Sequence, residues 1–222
     1  MLSIVIPTYN ERENIRPLVE SILSASKGCE IVFVDDASPD GTASEIRLLA
    51  KKYPNVRLVE RPGKLGLTSA VVAGVEASGG QNILVMDADL SHPPAKVPEL
   101  EAALASCDLV VGSRMARGGG VERWPLHRKL ISRGAELLAR LAVGKKTSDP
   151  LSGLFAVRRE VFQRTRFRTK GYKLLLNIIF DNPGMRIGEV PYIFTDRRAG
   201  KTKLGTAEIL RFIADLWRIR FG

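Results

Sequence analysis

Short apolar runs alternate with amphipathic stretches along the first half of the chain, and each run has the length of one buried strand. These runs predict strands at residues 2–6, 30–34, 56–60, 83–86 and 108–112. Apolar positions at helical spacing predict intervening helices at residues 15–24, 42–53 and 68–77. Residues 149–157 fit a turn into a further strand. The alternation predicts an α/β fold with a mostly parallel, doubly wound sheet and helices on both faces.

Two longer amphipathic helices are predicted in the second half, at residues 126–143 and 206–221. Both carry arginines beside the apolar face, a pattern typical of helices that lie in a membrane interface. An ordinary packed surface helix shows the same pattern as residues 126–143, and packing onto a partner subunit is the alternative for residues 206–221. Trp217 and Phe221, flanked by arginines, suit the level of lipid headgroups.

Composition places the chain among globular proteins, since 45% of its 222 residues are hydrophobic and the mean hydropathy is −0.01. Two cysteines are too few for a disulfide framework or a zinc site, so we expect buried thiols in a reducing compartment. The N-terminus lacks the pattern of a signal peptide, and no stretch is apolar enough to cross a membrane.

Charge is divided unequally between the two halves of the chain. Residues 1–110 carry 10 Lys and Arg against 15 Asp and Glu, whereas residues 111–222 carry 24 against 9. This segregation indicates an anionic partner for the second half, either nucleic acid or an acidic membrane surface. The second half has few aromatic residues and no nucleic-acid recognition motif, which favours the membrane.

Asp87 and Asp89 follow the predicted strand at residues 83–86, with only Ala88 between them. In extended backbone both carboxylates point the same way, just past the strand end where open α/β sheets bind ligands. Two carboxylates favour Mg²⁺ or Mn²⁺, with substrate phosphates completing the coordination shell. The alternative is a solvated acidic pair that caps the next helix, because the D-x-D pattern alone is a weak signal.

Several loops carry further predictions. Asn10 and Glu13 have the spacing of a capping box before the first helix. Residues 61–70 form a glycine-containing loop, and residues 116–125 are predicted to be a mobile basic loop whose Pro125 begins the next helix. The turn after the first strand is not G-x-G-x-x-G and no Walker phosphate loop occurs, which excludes the common NAD(P) and P-loop sites.

An ordered series of motifs makes the prediction more specific. It comprises V-I-P-T-Y-N-E-R-E-N (5–14), V-D-D-A-S-P-D-G-T (34–42), K-L-G-L-T-S-A (64–70), V-M-D-A-D-L-S-H-P-P (85–94), G-S-R (112–114) and S-D-P-L-S-G-L-F-A-V-R-R (148–159). With these motifs the chain resembles the family-2 glycosyltransferases of GT-A fold, over nearly its whole length. Within that family it is most similar to the dolichyl- and polyprenyl-phosphate mannose synthases.

The resemblance implies roles for individual residues. Asp87 and Asp89 would hold the metal, with Asp89 as principal ligand, and the implied catalytic residues are Asp89, Arg114 and Asp149. The implied donor-binding residues are Pro7, Tyr9, Glu11, Val34, Asp36, Asp87, Ala88, Asp89, Ser91, Arg114, Lys173, Arg197 and Lys203. Ser91 stands where family members often have Gln. From chemistry alone, Arg114 either binds phosphate or pairs with a nearby acid. His92 is predicted to be a structural residue of its turn, and the alternative is a supporting contact to the metal site or the donor.

The resemblance also implies the reaction. It is the inverting, Mg²⁺- or Mn²⁺-dependent transfer of mannose from GDP-mannose to dolichyl or polyprenyl phosphate, at the cytoplasmic face of a membrane. The GT-A domain would span residues 1–205, with an interface helix at 125–143, and residues 206–222 would form a separate basic helix. A small membrane-anchoring subunit is a further implied partner. The alternatives are a glucosyltransferase using UDP-glucose and a non-catalytic module that binds a nucleotide sugar at a membrane surface.

Overall fold

The computed structural model describes residues 1–122, 126–144, 146–169, 173–195 and 206–221. Within them, nine strands follow one another along the chain: β1 Leu2–Thr8, β2 Glu30–Asp35, β3 Val56–Glu60, β4 Asn82–Val85, β5 Leu109–Ser113, β6 Gly120–Val121, β7 Phe155–Arg158, β8 Ile187–Pro191 and β9 Ile193–Phe194. Eight helices accompany them: α1 Arg12–Ala25, α2 Thr42–Lys52, α3 Leu67–Ala77, α4 Val97–Ala103, α5 Leu126–Val143, α6 Arg159–Gln163, α7 Leu174–Asp181 and α8 Thr206–Phe221.

Seven strands form one mixed sheet in the order β3-β2-β1-β4-β7-β5-β8, and β6 pairs with β9 in a second, parallel ribbon. β7 alone runs antiparallel to its neighbours β4 and β5 in the large sheet. The chain order reverses beside β1, where β2 lies on one side and β4 on the other. A ligand site is therefore expected at the carboxyl ends of these three parallel strands.

Helices cover both faces of the sheet, as the apolar strand sequences require. One core packs α1, α2 and α4 against the sheet, and the other packs α3, α5, α6, α7 and α8 on the opposite face. The C-terminal helix α8 joins this second core through Phe212 and Ile219, both buried. It therefore packs on α5 and α7 within the described structure.

The prediction of a capping box at Asn10 and Glu13 was wrong. Helix α1 begins after Glu11 without a side-chain cap, and Asn10 lies outside it in a left-handed conformation with φ 59°. Its first N–H groups are instead bonded by the loop after β2, where Thr42 accepts from the Glu11 amide and Asp40 from the Arg12 amide. The loop at residues 116–125 also contains regular structure, because residues 120–121 form strand β6.

Gly74 is the point of closest approach between α3 and the sheet. A Cβ atom there would lie 2.5 Å from Val5 Cγ1 and 2.8 Å from Val34 Cγ2. We expect Gly74→Ala to lower the free energy of unfolding by about 1–3 kcal/mol through overpacking, measured by urea denaturation. Gly134→Ala, in the exposed interior of α5 with no neighbour within 4 Å, is the control and is expected to stabilise by roughly 0.5–1 kcal/mol. A neutral Gly74→Ala variant would contradict this packing.

Candidate active site

A cleft of about 440 Å³ lies at the carboxyl ends of β1, β2 and β4. Seven of the predicted donor-binding residues line it together: Pro7, Tyr9, Glu11, Asp36, Asp87, Ala88 and Asp89. Their positions follow from the parallel pairing of β1 with both β2 and β4, which brings three loops to one edge of the sheet. The sequence prediction of a ligand cleft at this edge therefore agrees with the geometry.

The D-x-D segment is held by its own turn. Ser91 donates to Asp89 Oδ1 from its backbone N (3.1 Å) and from its hydroxyl (2.5 Å). Leu90 between them has φ 61°, a conformation that side chains with a Cβ seldom adopt. Ser91 does not line the cleft, and its two hydrogen bonds hold the Asp89 carboxylate in position. The serine makes these bonds at the position where family members often have the longer Gln.

Strained backbone is concentrated around this cleft. The positive-φ residues other than glycine in the described structure are Asn10, Ala37 and Leu90. Each follows one of the three strands whose carboxyl ends border the cleft. Such conformations cost about 1–3 kcal/mol apiece and persist where surrounding structure holds them, most often at functional sites.

His92 lies behind the acidic pair and is buried. Its Nδ1 accepts a hydrogen bond from the Asp87 amide at 2.9 Å, so the ring proton resides on Nε2, which is 3.9 Å from Asp87 Oδ2. Burial lowers the pKa of His92, although the charges of Asp87 and Asp89 oppose this effect. Tyr192 and Phe194 pack edge-on against the ring. His92 is therefore a neutral residue that fixes the backbone of Asp87.

The pair Asp87 and Asp89 fits a divalent cation. The Asp87 side chain is 46% exposed to the cleft, and Asp89 is partly exposed beside it. Among the described residues no group of three or more His, Cys, Asp or Glu side chains is arranged to hold a metal. Two carboxylates of this kind would leave most of the coordination shell to ligand oxygens, which is how Mg²⁺ is commonly held with nucleotide phosphates.

Arg114 forms a buried ion pair with Asp149. Pairing with a nearby acid was one of the two alternatives predicted for this arginine. Arg114 Nε and Nη2 donate to Asp149 Oδ2 and Oδ1, both at 2.7 Å, and the Arg114 amide donates to Oδ2 at 3.0 Å. Burial opposes the charge of Arg114, but the hydrogen bonds and charge of Asp149 outweigh it and raise the pKa of the guanidinium. Asp149 is fully buried, so it orients Arg114 rather than facing solvent.

A second cavity, of about 420 Å³, is lined in part by Arg114. It lies between the end of β5, strand β6 and helix α5, and is lined by Arg114, Met115, Gly119, Gly120, Val121, Ser132 and Arg133. Glu136, one turn beyond Ser132, is buried and accepts its hydroxyl hydrogen bond at 2.9 Å. Burial raises the pKa of Glu136. Two arginines, Arg114 and Arg133, make this cavity suited to an anionic group.

The remaining predicted residues are placed elsewhere. Val34 is buried in the same core cluster as Val5 and does not line the cleft. Lys173 begins α7 and its Nζ lies 4.6 Å from the Phe212 ring centroid, away from the cleft lining. Arg197 and Lys203 lie outside the described residues, as does Pro125.

Sequence reasoning missed Lys64, a cation in the cleft. Its Nζ lies 3.3 Å from the centroid of the Tyr9 ring, and both residues line the cleft with Gly66 and Leu67. The signal was present in the K-L-G-L-T-S-A motif, which places Lys64 in the glycine-containing loop at residues 61–70. The lysine adds a positive charge to the cleft that Asp87 and Asp89 also line.

The described part of the chain has the GT-A fold. Glucosyl-3-phosphoglycerate synthase from Mycobacterium tuberculosis superimposes with a TM-score of 0.74 at 24% identity, over 100% of this chain and 81% of that one. Its complex with Mn²⁺, uridine diphosphate and glucosyl-3-phosphoglycerate superimposes with a TM-score of 0.72 at 23% identity, over 99% of this chain and 80% of that one. At this identity the likeness concerns the fold alone.

Residues 3–166 match the profile described as Glycosyl transferase family 2, and the chain belongs to this family. The dolichol-phosphate mannosyltransferase of Pyrococcus furiosus is 42% identical over 223 residues, which are 98% of this chain and 63% of that protein. Its counterpart in Saccharomyces cerevisiae is 35% identical over 238 residues, covering 99% of this chain and 88% of that protein. The chain therefore spans less than two thirds of the Pyrococcus relative.

Proposed function

We propose that this chain transfers mannose from GDP-mannose to a polyprenyl phosphate, such as dolichyl phosphate, with inversion at the anomeric carbon. The observation that carries the proposal is that an acidic cleft and a cationic cavity lie close to each other in the fold. Phe194 links the acidic cleft at Asp87 and Asp89 to the cationic cavity at Arg114, because its ring centroid lies 6.1 Å from that of His92, which accepts from the Asp87 amide, and 5.9 Å from Arg114 Cζ. The names of relatives at 35–42% identity support mannose and a dolichol-type acceptor.

In this reaction the acidic cleft binds the sugar nucleotide. Asp87 and Asp89 would hold Mg²⁺ or Mn²⁺, which when bound neutralises charge on the diphosphate leaving group. Tyr9 and Glu11, from the loop after β1, border the same cleft and would contact the nucleoside, while Lys64, which also borders it, would contact the phosphates. Among the described residues, the cations and acids needed to bind a diphosphate are thus collected at one edge of the sheet.

The cavity beside Arg114 would receive the acceptor phosphate. Asp149 keeps the guanidinium in one orientation, so that its remaining Nη1 group and the nearby Arg133 can bind phosphate oxygens. An acceptor phosphate is already anionic at neutral pH and can attack the sugar directly. No general base is required, and the buried neutral His92 is consistent with a reaction that moves no proton from the acceptor.

Attack from the face opposite the leaving diphosphate inverts the sugar. The test is to supply GDP-mannose, polyprenyl phosphate and Mn²⁺, extract the lipid product, and determine its anomeric configuration by NMR. A β-linked mannosyl phosphate lipid is the expected product, because the donor is α-linked. An α-linked product would contradict the direct attack, and the absence of any lipid-linked mannose would contradict the proposed reaction.

The lipid acceptor requires a position at a membrane surface, and helices α5 and α8 provide suitable side chains. Leu137 and Leu141 of α5 are 60% and 73% exposed, and Trp217 of α8 is 63% exposed. No helix among the described residues has the length and hydropathy to cross a bilayer. We therefore propose peripheral attachment, in which these side chains enter the interface while the basic half of the chain faces anionic headgroups.

Substituting aspartate for both Leu137 and Leu141 is expected to weaken binding to vesicles of phosphatidylcholine and phosphatidylserine at least about tenfold, measured by co-sedimentation. Both side chains are exposed, so the fold should be retained. Leu48→Asp, at a 56% exposed position of α2, is the matched control and should bind vesicles as the unmodified chain does. Undiminished binding of the double variant would show that α5 is not the attachment surface.

A further inference from the structure

Glu189 lies on strand β8, where its exposed carboxylate accepts hydrogen bonds from two residues of the segment before β7. Its Oε1 atom accepts from the Thr147 hydroxyl and from the Ser148 backbone N–H. The Ser148 hydroxyl donates to both carboxylate oxygens, each at 2.9 Å. Glu189 lines neither the acidic cleft nor the cavity beside Arg114, so its effect on a ligand there must pass through these partners.

The first of two hydrogen-bond relays runs from Glu189 through Thr147 to Asp149. Thr147 is buried, and its hydroxyl oxygen accepts from the Asp149 backbone N at 3.3 Å while its hydrogen is donated to Glu189. A hydroxyl has one hydrogen and two lone pairs, so it can make both bonds at once. The Asp149 carboxylate in turn accepts from Nε and Nη2 of Arg114. Glu189 therefore helps to fix the backbone of the residue that orients Arg114.

The second relay reaches Arg114 through two serines. Ser148 Oγ lies 2.7 Å from Ser113 Oγ. Because Ser148 donates its one hydroxyl hydrogen to Glu189, Ser113 supplies the hydrogen that lies between the two serines. The lone pairs of Ser113, which is fully buried, accept from the backbone N–H groups of residues 115 and 116, at 3.2 and 2.9 Å. This relay therefore fixes the backbone directly after Arg114.

The backbone held by Ser113 forms most of the cavity wall. Residues 114–121 supply five of the seven residues that line the cavity of about 420 Å³. This segment folds back closely on its own start, since a Cβ atom on Gly119 would lie 2.5 Å from the Ser113 carbonyl oxygen. A displacement of Ser113 would therefore move Arg114 and the wall of the cavity together.

We propose that Glu189 is a positioning residue for Arg114, which it holds through Thr147 and Ser148 in the orientation that binds the acceptor phosphate. The inference rests on the proposed function, in which the cavity beside Arg114 receives that phosphate. Hydrogen bonds to an ionised carboxylate are about twice as strong as those between neutral groups, and hydroxyls in a chain polarise one another. The charge of Glu189 therefore strengthens both relays that end at the pair of Arg114 and Asp149.

The alternative role for Glu189 is a structural tie that contributes to stability alone, and Glu30 provides a matched control for it. The Glu30 carboxylate accepts from the Ser3 hydroxyl at 2.6 Å and from the Gly79 backbone N at 2.8 Å. Ser3 Oγ in turn accepts from the Gly80 backbone N at 2.8 Å. This relay has the same chemistry but lies at the start of β2, whereas the cleft lies at the end of that strand. Glu30→Gln is therefore expected to lower stability without changing ligand affinity.

Titration calorimetry with farnesyl phosphate, a short polyprenyl phosphate, and separately with GDP and Mn²⁺ distinguishes the two roles. Glu189→Gln keeps the shape of the side chain but loses its charge and one of its two acceptor oxygens. The variant is expected to bind farnesyl phosphate about tenfold more weakly than the wild type. Its affinity for GDP should stay within about twofold of the wild-type value, because the two relays end beside Arg114 and not at the acidic cleft.

Substitutions of Ser148 test the second relay by itself. Ser148→Ala removes the link to Ser113 but leaves Thr147 bonded to Glu189, so farnesyl phosphate binding is expected to weaken about fivefold. Ser148→Thr keeps the hydroxyl and should restore the wild-type affinity. Should Glu189→Gln fail to fold by circular dichroism, the two Ser148 variants decide the question.

Unchanged affinity for farnesyl phosphate in Glu189→Gln, or in Ser148→Ala where that variant decides, overturns the inference. Equal losses of farnesyl phosphate and GDP affinity also overturn it, because a structural tie would produce them. A wild-type chain that binds no farnesyl phosphate contradicts the proposed acceptor cavity and the inference with it. A wild-type chain that binds farnesyl phosphate but makes no lipid-linked mannose contradicts the proposed function, while the titrations still decide the role of Glu189.

Discussion

Replacing Asp89 by asparagine is expected to lower mannosyl transfer roughly a thousandfold, because a neutral amide can no longer hold the cation that stabilises the leaving diphosphate. The substitution preserves size and the ability to accept the two Ser91 hydrogen bonds. The turn should therefore remain folded while the charge is lost. The measurement is the initial rate of lipid-linked mannose formation at saturating Mn²⁺, together with GDP affinity with and without the metal.

Asp108→Asn is the matched control for Asp89→Asn. Asp108 precedes β5, which is separated from β4 by β7 in the sheet, and it pairs with Arg186 just before the edge strand β8. Transfer should be unchanged in this variant. An Asp89→Asn protein that keeps its full rate would refute the metal assignment.

Asp149→Asn is expected to have the largest effect on stability. The variant leaves Arg114 charged in a buried position without its counter-ion, which costs about 3–5 kcal/mol of unfolding free energy. For a chain of this size that loss corresponds to a drop in Tm of roughly 10 °C. Transfer should fall as well, because Arg114 loses one of the two acceptor oxygens and the negative charge that fix its orientation.

The exposed ion pair of Lys96 and Glu99 serves as the comparison for Asp149→Asn. Glu99, whose side chain is 53% exposed in its pair with Lys96, is expected to tolerate substitution by glutamine within about 0.5 kcal/mol. The double variant Arg114→Met and Asp149→Leu removes both charges and should recover much of the lost stability without recovering transfer. A double variant with normal transfer would show that Arg114 takes no part in binding phosphate.

Much of the sheet was predictable, because each parallel strand is an apolar run flanked by helices and closed by a polar turn. Asp87 and Asp89 could be placed at the cleft for the same reason: their position after β4 fixes them at the carboxyl edge. Helix α7 was not assigned from sequence, since its run L-L-L-N-I-I-F-D is apolar on nearly all sides and shows no clear period.

Long-range pairings account for most of what the sequence did not reveal. The partner of Asp36 is Arg61, 25 positions away, and the partner of Arg114 is Asp149, 35 positions away. Neither pairing follows from local spacing. The caps of α1 come likewise from the loop after β2 rather than from Asn10, so a local capping rule selected the wrong residue. Strands β6 and β9 are two residues each, too short to produce an alternating pattern.

The most direct test of the proposed function is a competition between donors. The chain receives equal amounts of GDP-mannose and UDP-glucose carrying different isotopes, with Mn²⁺ and polyprenyl phosphate in lipid vesicles, and the organic extract is counted for both labels. We predict lipid carrying the mannose label alone, and none with Asp89→Asn. Lipid carrying the glucose label, or extract without either label from folded protein, would contradict the proposed function.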